Sequence, residues 1–105
     1  MNLKPFLEQL HKVCRENNVA MLGVFGSVAR GEDTPESDVD LLVKFAESPD
    51  FIELIRLENK FIELFGKKVD LVTEGFLHPR IKENALKDLK ILFEAARPNL
   101  VVLEN

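Results

Sequence analysis

The chain has 105 residues, with 14 Lys plus Arg against 18 Asp plus Glu and a net charge of -4. That length suits a single domain spanning 1–105 with one core, and the acidic balance argues against a protein held to long nucleic acid mainly by phosphate neutralisation. The lone Cys14 excludes an internal disulfide, and with neither a signal core nor a run of transmembrane length the expected compartment is the cytoplasm, with no membrane contact.

Leu3, Phe6, Leu7, Leu10, Val13 and Cys14 recur at helical spacing. They predict an amphipathic helix over 3–17, with Pro5 tolerated in its first turn. Residues 19–25 form an apolar run too short for a typical helix and suit a buried strand. After Gly26-Ser27, the residues up to Arg30 have room for about one helical turn before Gly31, and 32–37 form a polar loop. A second strand is expected over 38–45. Ser48-Pro49-Asp50 reads as a helix start with cap, Pro at the first position and acid in the first turn. Ile52, Ile55, Phe61, Ile62 and Phe65 mark the buried face of that helix, which stops at Gly66. A third strand follows over 68–73, and Gly75 breaks it. Pro79 starts another helix with Ile81, Ala85, Leu86 and Leu89 as its inner stripe. Residues 91–93 suit either the end of that helix or a fourth strand. Pro98 sets off a short C-terminal tail, 97–105, with the apolar run Leu100-Val101-Val102-Leu103.

The chemistry concentrates between Gly26 and Asp40. In a strand, Asp38 and Asp40 share a face about 7 Å apart, and two carboxylates so placed can hold divalent metal while repelling each other without it. Gly26-Ser27 fits a strand-to-helix turn where backbone N–H groups and a small hydroxyl can receive a phosphate. An anion cradle beside a carboxylate pair suggests Mg-nucleotide chemistry. Asp70 interrupts the apolar residues of the third strand. It joins Asp38 and Asp40 if that strand runs beside the second, and otherwise faces water at an edge. Gly31 is expected to supply a backbone conformation closed to other residues. His11 falls on the polar side of the first helix and is expected to be solvated. His78 precedes Pro79, where an extended or capping role suits it better than catalysis, and Lys67-Lys68 could attract phosphate but better suit a charged strand start. Arg80 and Lys82 are further contacts that a nucleotide or acidic partner could use. The eight Phe residues fall on apolar faces and read as core.

Gly26-Ser27, ten residues, then Asp38-Val39-Asp40, with Ala29-Arg30-Gly31 in the gap and Asp70 further on, resembles the signature of the nucleotidyltransferase superfamily that includes DNA polymerase beta. The short chain is more narrowly similar to the minimal nucleotidyltransferases, antitoxin partners of HEPN-domain ribonucleases. The resemblance implies that Gly26 and Ser27 contact the β- and γ-phosphates of ATP and that Asp38 and Asp40 bind both of two Mg²⁺ ions. It makes Asp70 a ligand to the catalytic ion and a possible proton acceptor, and it suggests Arg30 as a phosphate or loop-fixing contact, a role that weighs equally with a surface ion pair to Glu32 or Asp33. It further implies AMP transfer to a protein hydroxyl, with a HEPN toxin as partner. Two other readings stay open: a non-catalytic antitoxin that masks its toxin, and transfer to a small hydroxylated molecule. The expected fold is a small α/β domain, a mixed sheet of three to four strands with helices mainly on one face and the site at one end of the two central strands. The apolar tail and exposed sheet edges suit a homo- or hetero-oligomer.

Overall fold

The computed structural model describes residues 1–73 and 79–95. Its centre is a mixed sheet of β1 (Val19–Phe25), β2 (Val39–Phe45), β3 (Val69–Thr73) and β4 (Lys90–Glu94) in the order β3-β2-β1-β4. β1 is antiparallel to β2 and β4, whereas β3 runs parallel to β2. A parallel neighbour needs a long crossover, and α3 (Phe51–Phe65) supplies it. The remaining helices are α1 (Leu7–Glu16), preceded by a 3-10 turn at Lys4–Phe6, the five-residue α2 (Gly26–Arg30) and α4 (Pro79–Asp88).

Register sorts the side chains. Leu22 pairs with Val43 and Val24 with Leu41, and these four join Val39, Val69, Leu71 and Leu92 in a core closed by Leu10 and Cys14 of α1 and Leu57, Phe61 and Phe65 of α3. Complete burial of a side chain such as Leu57 or Phe61 contributes about 1.5–3 kcal/mol each. Strand alternation sends Gly23, Phe25, Asp40 and Leu42 to the other face. There Leu89 packs on Gly23, where a Cβ would stand 2.5 Å from Leu89 Cδ1.

Residues 91–93 are strand, because they pair with β1. The cap of α3 is Asp50, whose carboxylate accepts from Glu53 N–H at 2.7 Å, two residues later than Ser48. The stripe on α3 also differs from the expected one. Ile52 is 60% and Ile55 42% exposed, since at 100° per residue Ile55 lies about 200° round the helix from buried Leu57. Phe51 is 75% exposed, so not every Phe is core, and Leu86 is likewise exposed beside buried Ala85. His11 is not solvated: its Nε2–H donates to Leu92 O at 2.7 Å and its ring meets Phe93 edge-on. The expectations for Gly75, Phe76, His78, the 97–105 tail and the side chains of Arg80, Ile81 and Lys82 lie outside the described residues.

Candidate active site

β1 passes directly into α2 at Gly26, and the turn has two local causes. Gly26 has φ +71°, a left-handed conformation, and Asp40 fills the space that a side chain would need. A Cβ at Gly26 would overlap Asp40 Oδ2 and stand 3.2 Å from Asp40 Cγ. The backbone of the Gly-Ser turn is therefore pressed against a carboxylate. At the other end of α2, Gly31 takes φ +72° as the left-handed cap, with its N–H donating to Val28 O at 3.2 Å.

The parallel pairing of β2 with β3 brings in the third acid. Asp40 and Asp70 are register partners, so their side chains leave the same face side by side. Asp70 is exposed on the edge strand rather than buried, so it both faces water and joins the other two. One step earlier, Val39 N–H donates to Lys68 O at 2.9 Å. That bond carries the pairing back far enough to set Lys68 beside Asp38, with Nζ 3.8 Å from Oδ2. Two rungs thus share one face: Asp38 with Lys68, then Asp40 with Asp70.

Electrostatics reflects this crowding. The Asp40 carboxyl is pushed above the usual carboxylate range, first by burial, then by the negative charge of Asp70 and that of Asp38; Arg30 offsets part of the rise. Hard carboxylate oxygens suit Mg²⁺, and the repulsion felt at Asp40 is what a bound cation relieves. Among the described residues no three acidic, imidazole or thiol groups already stand close enough to form a metal cage. The donor set still fits, because Mg²⁺ usually takes one or two carboxylates and fills its other positions with water and phosphate oxygens.

Arg30 forms ion pairs, as the second of its two readings expected, although not to Asp33. Its Nε donates to Glu32 at 3.0 Å and its terminal nitrogen to Asp88 at 2.7 Å, which ties α2 to the end of α4. Asp33 instead receives the amino group of Met1 at 2.7 Å. Lys67 Nζ reaches Thr34 O at 3.4 Å, across the loop before β2. Sequence reasoning missed this pairing of Lys68 with Asp38, although its position two residues before Asp70 already placed it on the acidic face. It also missed Asp88, for which no local signal exists.

A second surface lies at the far end of β2. A groove of about 440 Å³ is lined by residues including Phe45, Pro49, Phe51 and Leu54, and exposed Ile52 and Ile55 continue from it along α3. Among the described residues no helix is long and apolar enough to cross a membrane.

Known proteins place this geometry. The family described as "Nucleotidyltransferase domain" matches residues 7–92. The protein adenylyltransferase MntA of Thermococcus cleftensis is 42% identical over 88 residues, 83% of this chain and 89% of that one. A solved structure provisionally called a minimal nucleotidyltransferase is 38% identical, with a TM-score of 0.73 over 83% of this chain and 89% of its own. The fold also recurs, at 20% identity and a TM-score of 0.69 over 91% of this chain and 76% of the other, in the complex of a tri-AMPylated Shewanella oneidensis HEPN toxin with its MNT antitoxin. A family match from α1 into β4, on a sheet whose one parallel pair carries Asp40 beside Asp70, leads to one assignment: the chain belongs to the nucleotidyltransferase family, in its minimal form.

Proposed function

We propose that this nucleotidyltransferase moves AMP from ATP to a hydroxyl of a partner protein, that it depends on Mg²⁺, and that it is the cytoplasmic antitoxin of a HEPN-domain toxin. The observation that carries the reading is the packing of the Gly26 backbone on Asp40, with Asp70 in register beside it. One small patch of surface then offers a phosphate seat, a cation seat and a base. The protein adenylyltransferase relative supports AMP as the group moved, and the complex of an AMPylated HEPN toxin with an MNT antitoxin supports the partner.

In this reading the turn at Gly26 and Ser27 holds the triphosphate and orients it so that the α-phosphorus lies over Asp38 and Asp40. Those two carboxylates, with Asp70, would hold two Mg²⁺ ions. The bound cations would neutralise phosphate charge and lower the pKa of the acceptor hydroxyl. The acceptor oxygen bonds to the α-phosphorus as the bond to the α–β bridging oxygen breaks. Pyrophosphate leaves, and Asp70, open to solvent, takes the hydroxyl proton and passes it to water. Arg30 holds α2 to α4 through Asp88 and keeps the phosphate turn in place.

The exposed groove and the Phe51, Ile52 and Ile55 surface favour a second reading, an antitoxin that masks its toxin by binding alone. The two separate cleanly. ATP labelled at the α-phosphate, Mg²⁺ and the protein are incubated with lysate of the source cells, with an Asp38→Ala, Asp40→Ala variant alongside. A labelled protein band that disappears with the variant is the expected result. No labelled protein from a sample that binds Mg-ATP would sink protein modification.

A further inference from the structure

We propose that Lys68 is an acceptor-side specificity residue, whose ammonium favours an acceptor hydroxyl lying next to an anionic group. The inference rests on the assignment of Gly26-Ser27 to the triphosphate and of the three aspartates to the reacting end. In the order β3-β2-β1, Gly26-Ser27 continues β1 and flanks β2 on one side; Lys68 and Asp70 flank it on the other. In-line displacement puts the attacking oxygen opposite the leaving pyrophosphate. With the triphosphate on the β1 side, the acceptor must approach from the β3 side, over Asp70 and Lys68.

That approach is electrostatically awkward for an anionic acceptor. Asp40 and Asp70 stand side by side on this face with Asp38 one rung away, the Asp40 carboxyl is pushed up first by burial and then by the charges of Asp70 and Asp38, and the whole chain is at -4. Lys68 is a cation set on the β3 side of this face. The Val39 N–H to Lys68 O bond at 2.9 Å fixes its backbone beside Asp38, while its side chain, 79% exposed, lies 3.8 Å from Asp38 Oδ2. At that separation and exposure the ion pair is weak, so the ammonium exchanges partners at little cost. Two anion sources share this chemistry: an acidic side chain flanking the hydroxyl, and the phosphodiester left on the acceptor by an earlier AMP transfer.

The test is equilibrium binding of three fluorescent tyrosine peptides in the presence of Mg²⁺ and α,β-methylene-ATP, which cannot transfer AMP. One peptide has neutral flanks, one has glutamates flanking the tyrosine, and one carries O-adenylylated tyrosine. The wild-type protein is expected to bind at least one anionic peptide about fivefold more tightly than the neutral one, the upper end of what one exposed ion pair supplies. Which anionic peptide gains identifies the source. Lys68→Ala should remove the preference, and Lys68→Arg should restore it. Equal or absent binding of all three peptides by the wild type, or a preference that survives Lys68→Ala, would overturn the proposal. A fluorescent ATP analogue, titrated in parallel, reports on the underlying assignment. Its binding should be unchanged in Lys68→Ala and lost in Gly26→Ala, and if Gly26→Ala retains it the phosphate seat itself is misplaced, whatever the peptides do.

Discussion

Gly26 lies directly against the Asp40 carboxylate, in a left-handed backbone conformation that leaves no volume for a side chain. The contact couples the proposed phosphate turn to the proposed metal-holding strand, so a change at one residue moves the other. Gly26→Ala should cost at least about 1–2 kcal/mol from the left-handed conformation alone, and displacing the carboxylate adds to that. Urea denaturation reads the stability loss, and titration with a fluorescent ATP analogue reads the accompanying loss of nucleotide binding. Unchanged stability would mean that the turn relaxes without strain.

Asp40 carries a penalty in the metal-free protein. Its carboxyl is raised by burial, by Asp70 and by Asp38, so the folded state binds a proton that the unfolded chain has already released. Stability attributable to this group is therefore intact below the ordinary aspartate pKa and lost as pH rises toward the raised value. In EDTA, Asp40→Asn should be more stable than wild type at pH 7, and the difference should fade by about pH 3, below the ordinary value. The same substitution should abolish label transfer. A variant that is less stable at neutral pH would contradict the charge crowding.

Glu58, on α3, accepts a hydrogen bond from Leu71 N–H at 3.2 Å, on the edge strand β3. A free strand edge invites pairing with another chain, and this carboxylate occupies part of it. Glu58→Ala leaves the amide without its partner and should cost about 1 kcal/mol. It should also raise light scattering on heating, whereas Glu58→Gln, which keeps an acceptor, should behave like wild type. Equal scattering by both variants would remove Glu58 as an edge guard.

Cys14 is fully buried in α1 against the core, and burial pushes its thiol up to about 12. Only the thiolate reacts at an appreciable rate. Ellman's reagent at pH 8 should leave the native protein unlabelled and react fully once urea unfolds it. Prompt labelling under native conditions would mean that α1 opens readily.

How far the sequence speaks depends on the distance over which each decision is made. The Gly26-Ser27 turn, the Asp38-Val39-Asp40 pair and the Gly66 stop are encoded within a few neighbouring residues, through backbone conformation and strand alternation, and are legible by inspection. The strand at 91–93 and the exposure of Phe51, Ile52 and Ile55 are not, because an apolar residue declares neither its partner nor which way its helix turns. The pairing of Arg30 with Asp88 and the bond from His11 to Leu92 join residues 58 and 81 apart, with no local trace.

The site divides along the same line. The sequence alone determined that the Gly26-Ser27 turn, the proposed phosphate seat, and a carboxylate pair lie close together, since both sit on one short stretch of chain. Only the tertiary structure decided that Asp70 stands beside Asp40 and Lys68 beside Asp38. Those neighbours depend on β3 running parallel to β2 after a crossover through α3, a pairing chosen by burial of Leu57, Phe61 and Phe65 against the sheet, not by any property of the aspartates themselves.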